Sequence, residues 1–111
     1  MTARRLDAEQ QHTLLEVAAA TIHDVLMPRH PAPLDVGVYD EELRAPGATF
    51  VTLERDHALL GCIGTLEPVR PLVGDVGHNA AAAAFSDPRL PPVTCDDYAA
   101  MSIEISVLGP L

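Results

Sequence analysis

The sequence predicts an α+β fold, an antiparallel β-hairpin supported by helices, and three observations predict it. Thr49-Phe50-Val51-Thr52-Leu53-Glu54 and Ala58-Leu59-Leu60-Gly61-Cys62-Ile63-Gly64 are apolar runs on either side of a short polar break, Arg55-Asp56-His57. That is the composition of a buried antiparallel pair. Apolar residues recur at helical spacing both before this hairpin and after it. Near the end of the sequence, Met101, Ile103, Ile105 and Val107 alternate with Ser102, Glu104 and Ser106, the pattern of a half-buried strand.

The elements follow in order. Asp7 to Met27 reads as an amphipathic helix: Asp7 can cap it, Gln10 stands three residues on as in a capping box, and Leu14, Leu15, Ala18, Ile22, Val25 and Leu26 fall on one face. Pro28 stops it, and Pro28-Arg29-His30-Pro31-Ala32-Pro33 reads as an extended connector. Glu41-Glu42-Leu43-Arg44 makes a single turn, and Pro46-Gly47 leads into the hairpin. After a turn at Glu67-Pro68, Pro71 opens a second helix along Leu72, Val76, Ala80 and Ala83, ending near Phe85. Its small residues, Ala80 to Ala84, let it lie close against a sheet, although Gly74 and Gly77 each cost about 1 kcal/mol against alanine in a helix. Ser86-Asp87-Pro88-Arg89-Leu90-Pro91-Pro92 is a loop stiffened by three prolines, able to hold Asp87 and Arg89 in a set geometry. Thr94 caps a short turn through Ala100.

At 111 residues the sequence has one domain's length, residues 1–111, and enough chain for a core without cross-links. Two cysteines, Cys62 and Cys95, make no disulfide scaffold, no leader opens the sequence, and no apolar run approaches the roughly 20 residues of a membrane span. A soluble protein of the reducing cytoplasm is the expectation. The net charge is −9, and all 7 basic residues are arginine. The absence of lysine excludes a phosphate-loop lysine, a Schiff-base lysine and a lysine general base. The acidic balance argues against nucleic acid, whose binding rests on basic side chains that displace counterions.

Cys62 is the candidate chemical residue. Leu60, Cys62 and Gly64 share one face of their strand by alternation, and Leu59, Gly61 and Ile63 share the other. Glycines on both sides of one thiol suggest that another backbone, or a ligand, comes close there. His12 and His23 lie about three helical turns apart, too far to share a metal. The acids Asp40, Glu41 and Glu42 read as a solvated run. Cys95 has no second cysteine at metal spacing. The sequence thus implies no metal and no cofactor.

Five segments together resemble the AMMECR family, whose prokaryotic members are called AmmeMemoRadiSam system protein A. They are Phe50-Val51-Thr52-Leu53, then Leu59 to Leu66, then Asn79 to Phe85, then Asp87-Pro88-Arg89 with Pro92, and Ile103 to Leu108. The resemblance covers nearly everything from Asp7 onward and implies a two-lobed α+β fold, of which this sequence would supply the smaller lobe and part of the larger. It also implies a shared pathway with a Memo-like protein and a radical SAM protein as partners. The candidate binding residues are Gly61 and Gly64, where the strand admits a close approach, with Asn79, Asp87 and Arg89. In the family pattern an arginine precedes the cysteine by two residues, and here Leu60 takes its place.

Three function classes stay open. An accessory or interaction component would work through a groove near Gly61 and Gly64 and an unpaired sheet edge. An enzyme would use Cys62 with a base from His57 or His78, and Arg89 as an anion anchor. A half-domain would pair its last strand with a second copy or another chain. The first class, in a system of AmmeMemoRadiSam type, is the expectation, and small apolar packing is the simpler role for Cys62.

Overall fold

A computed structural model describes residues 6–27 and 34–109. Helix α1 (Ala8–Leu26) starts at a full capping box: the Asp7 carboxylate accepts from the Gln10 amide, and the Gln10 side chain accepts from the Asp7 amide. α1 buries Leu14, Val17, Ala18 and Ile22. Leu15 and Val25, which spacing alone assigns to the buried face, remain 37% and 51% exposed. The covered stripe is narrower than the apolar one. The proline-rich connector Pro28–Pro33 lies outside the described residues. A 3₁₀ turn (Val36–Val38) and the one-turn helix α2 (Glu41–Arg44) follow. The Gln10 amide donates to Asp40 and Glu42, at 3.2 and 3.4 Å, so two members of the acidic run tie α2 back to α1.

Two short strands, β1 (Pro46–Gly47) and β4 (Arg70–Pro71), pair antiparallel with each other. The main sheet has β2 (Thr49–Arg55) at its centre, between β3 (Ala58–Gly64) and β5 (Ser102–Val107), in the order β3-β2-β5 with both pairings antiparallel. The β2–β3 turn is tight, with Asp56 and His57 at φ 51° and 65°. A two-residue turn of this hand normally draws on glycine and asparagine. Between Leu53 and Glu54 the register shifts, so that Glu54 faces Leu59 and Leu60 is the extra residue of a bulge. Leu60 packs against the core. The alternation that would set it beside Cys62 is broken there, and an arginine at that position would not simply share the face of the thiol.

Helix α3 (Leu72–Phe85) lies on the inner face of the sheet, its Leu72, Val73, Val76, Ala80, Ala83 and Ala84 buried against Val51, Leu53 and α1. The approach is main chain to main chain. A Cβ on Gly61 would stand 1.8 Å from the Ala83 carbonyl oxygen, so strand and helix touch only because residue 61 has no side chain. Helix α4 (Cys95–Ala100) begins at a second capping box, Thr94 with Asp97. Tyr98 fastens it to α1 by donating its hydroxyl to the Ala19 carbonyl.

Candidate functional site

In an antiparallel ladder, residues alternate between bonding the neighbouring strand and pointing away from it. The Thr65 amide donates to the Thr49 carbonyl across β2–β3. That fixes Gly61 and Ile63 as the β3 residues bonded to Leu53 and Val51. The amide and carbonyl of Cys62 therefore face outward, at the edge of the sheet. Two side chains meet them. Asp87 Oδ2 accepts from the Cys62 amide at 3.1 Å, and Arg89 Nη2 donates to the Cys62 carbonyl at 3.3 Å. Asp87 and Arg89 are joined to each other at 2.7 and 3.0 Å, and the Arg89 amide also donates to Asp87 at 3.0 Å.

The clamp reproduces with side chains what a fourth strand would offer one residue of β3. Asp87 is 2% exposed at its side chain and Arg89 62%. The Arg89 guanidinium, then the amides of Arg89 and Cys62, hold the Asp87 carboxyl far below its ordinary value, and the same pairing raises Arg89. The loop of residues 86–92 carries both side chains of this clamp.

The Cys62 side chain lies on the outer face, opposite Thr52, which in turn lies opposite Glu104. Its Sγ is 3.3 Å from Thr52 Oγ1. No hydrogen bond joins this thiol to a histidine among the described residues. His57 sits in the β2–β3 turn, and His78 lies on α3, beyond the other face of the sheet, where it borders a crevice with α1.

The structure divides the predicted site residues three ways. Cys62, Asp87 and Arg89 come together. Gly61 turns inward to α3, and Gly64 lies under the Phe50 ring, where a Cβ would be 2.3 Å from Cγ. These two glycines are explained by protein neighbours. Asn79 is buried on the inner face, remote from the thiol. It belongs to a cluster that sequence reasoning missed, centred on Asp75. Asp75 accepts from the Thr49 amide and hydroxyl at 2.8 Å, from Thr65 Oγ1 at 2.8 Å, from Arg70 Nη1 at 2.7 Å and from Asn79 Nδ2 at 3.1 Å. It ties α3 to β2, to β4 and to the residue after β3. The signal was present: Asp75 and Asn79 stand four apart, beside the helix's apolar stripe, where an unpaired polar group is expensive.

The opposite edge of the sheet differs. The Leu108 amide donates to the Ala48 carbonyl, so Ser102, Glu104 and Ser106 are the β5 residues bonded to β2, and the main-chain groups of Ile103, Ile105 and Val107 point outward. No strand pairs with them among the described residues. Their half-buried side chains line a groove of about 600 Å³ together with Leu6, Leu14 and Leu15. Among the described residues, no group of three or more His, Cys, Asp or Glu side chains is placed to hold a metal, and no helix is long and apolar enough to cross a membrane.

The AMMECR1 family model matches residues 15–111. A protein of Methanothermobacter thermautotrophicus is 36% identical over 105 residues, 95% of this chain and 54% of its own length. One from Saccharolobus solfataricus is 38% identical over 110 residues, 95% of this chain and 47% of its own. The crystal structure of an uncharacterised protein of Pyrococcus horikoshii superposes with a TM-score of 0.81 at 31% identity, over 92% of this chain and 52% of that one. The chain spans about half the length of the curated relatives it matches.

Proposed function

Because the chain belongs to the AMMECR1 family and carries that family's α+β fold, we propose that it works as an accessory component that binds protein by adding a strand to its sheet. The observation that carries this reading is the inequality of the two sheet edges. At β3, Asp87 and Arg89 occupy the outward groups of Cys62. At β5, the outward groups of three successive alternate residues have no partner strand among the described residues, and they border a groove lined by Leu6, Leu14 and Leu15 together with Gln11 and Glu104. Exposed edges template pairing, and natural sheets usually block them. Among the described residues, one edge is clamped at Cys62 and the other carries no paired strand.

The setting proposed for this contact is a system of AmmeMemoRadiSam type, with Memo-like and radical SAM proteins; its support is the family resemblance of the motifs. A thiol-dependent reaction at Cys62 has Thr52 in its favour, but among the described residues no base is hydrogen-bonded to the sulfur. The test is amide hydrogen exchange of Ile103, Ile105 and Val107 in mixtures of the purified chain with a Memo-like and a radical SAM protein. Protection of these amides in the assembled form is expected. Assembly that leaves all three exchanging freely would overturn the edge as the contact.

A further inference from the structure

We infer that Asn79 Oδ1 holds a buried water molecule, an internal hydration site that completes the polar cluster around Asp75. Asn79 is 0% exposed, yet its side-chain oxygen has no hydrogen-bond partner among the described residues. A carboxamide oxygen offers two lone pairs. Burying it unpaired forfeits its hydration with nothing in return, and native structures hold few such atoms.

Turning the amide over does not supply a partner. Nδ2 is 3.0 Å from the Thr49 carbonyl oxygen, 3.1 Å from Thr49 Oγ1 and 3.1 Å from Asp75 Oδ2. In the opposite orientation the side-chain oxygen would face a carbonyl and a carboxylate, acceptor against acceptor. The neighbouring donors are committed as well. The Thr49 amide and hydroxyl, Thr65 Oγ1 and Arg70 Nη1 all donate to Asp75, and none of them reaches Oδ1. The cluster gathers its hydrogens on one carboxylate and leaves the amide oxygen to a donor from outside it.

Size and charge narrow that donor to water. Asn79 lines neither the groove beside β5 nor the crevice between α1 and α3, so a molecule of substrate size does not reach it from either. The Asp75 carboxylate already has its countercharge in Arg70 Nη1 at 2.7 Å, so a cation would bring an uncompensated charge into the core. A small, neutral molecule with hydrogens to donate meets both conditions. Buried waters serve otherwise unsatisfied polar groups of this kind, typically with about three hydrogen bonds each.

The experiment is a crystal structure of the intact chain, read at Asn79, together with water–protein NOE spectroscopy on the Asn79 side-chain amide in solution. The expected result is a solvent peak about 2.7–3.2 Å from Oδ1, with at least one further polar atom of the protein in reach. In solution a cross-peak should join the Nδ2 hydrogens to water, with the sign of a rigidly held molecule. A protein donor on Oδ1, or an amide turned over, overturns water as the partner. So does an Oδ1 that nothing approaches, with no cross-peak. Thr49→Val guards against a false signal, because it deletes the exchangeable hydroxyl beside Nδ2 and leaves Oδ1 untouched. The cross-peak should survive in that variant; its loss would assign the signal to the Thr49 hydroxyl and overturn the water. The crystal reading of the parent does not depend on how well the variant folds.

Discussion

Gly61→Ala tests whether the fold depends on the contact between β3 and α3. An added Cβ would lie 1.8 Å from the Ala83 carbonyl oxygen and 2.7 Å from its carbon. Both are main-chain atoms, so no rotamer change relieves the clash, and α3 must retreat by about 1.5 Å to restore ordinary contact. That retreat loosens Ala80, Ala83 and Ala84, all buried. Overpacking a core typically costs about 1–3 kcal/mol. With a rigid target the expected loss is at the upper end, about 3 kcal/mol, or a fall in Tm of roughly 12–24 °C for a domain of this size.

Gly74→Ala is the internal control, because nothing stands within 4 Å of its added Cβ and alanine is the better helix former by about 1 kcal/mol. The assay is urea denaturation of both variants beside the parent, followed by circular dichroism. Opposite signs are expected for the same chemical change. If Gly61→Ala unfolds within about 1 kcal/mol of the parent, a close approach of helix to strand is not what fixes glycine at position 61, and the argument fails.

Three further outcomes are expected. His57→Gly should stabilise the chain by about 1 kcal/mol, since residue 57 sits at φ 65° and a side chain there costs roughly that much; a destabilised variant in thermal melts would contradict the turn geometry. Asp87→Ala should destabilise at neutral pH and speed exchange of the Cys62 amide. Because the folded carboxyl titrates well below its ordinary 3.8, its stabilisation is complete above that pH and fades as the pH falls beneath it. The gap between parent and variant should therefore close in acid, and a gap independent of pH would refute the clamp. Asp75→Ala should cost about 3 kcal/mol or more, leaving the Thr49 amide and the Asn79 side chain without their acceptor, whereas Arg70→Ala, at a side chain one-third exposed, should cost clearly less in the same urea titration.

Where a local rule governed, the sequence was a sound guide. Asp7 with Gln10 and Thr94 with Asp97 are capping boxes because an orphan amide at a helix start accepts few substitutes. Ile103, Ile105 and Val107 face inward because a strand permits no other period. The failures came where a neighbour distant in sequence decides. The bulge at Leu60 turns its side chain to the core, and no alternation rule foresees one extra residue. Of the two approaches that the glycines allowed, another backbone or a ligand, Gly61 meets the first in the Ala83 carbonyl, whereas Gly64 meets the Phe50 ring, which strand alternation alone did not foresee. Asp75 was passed over as one acid among 16, although burial beside an apolar stripe made it the least replaceable of them. The stiff loop pointed to a set geometry for Asp87 and Arg89. What they clamp, the main chain of Cys62, could be known only once the ladder's register was fixed.

That clamp also bears on what the thiol can do. Leu60 stands where the family pattern has an arginine, and the cation beside Cys62 is Arg89, which donates to Asp87 and to the Cys62 carbonyl. A guanidinium so engaged holds the strand carrying the thiol; it does not coordinate the sulfur. Clamping β3 at this residue holds Cys62 on the outer face, in line with Thr52 and Glu104.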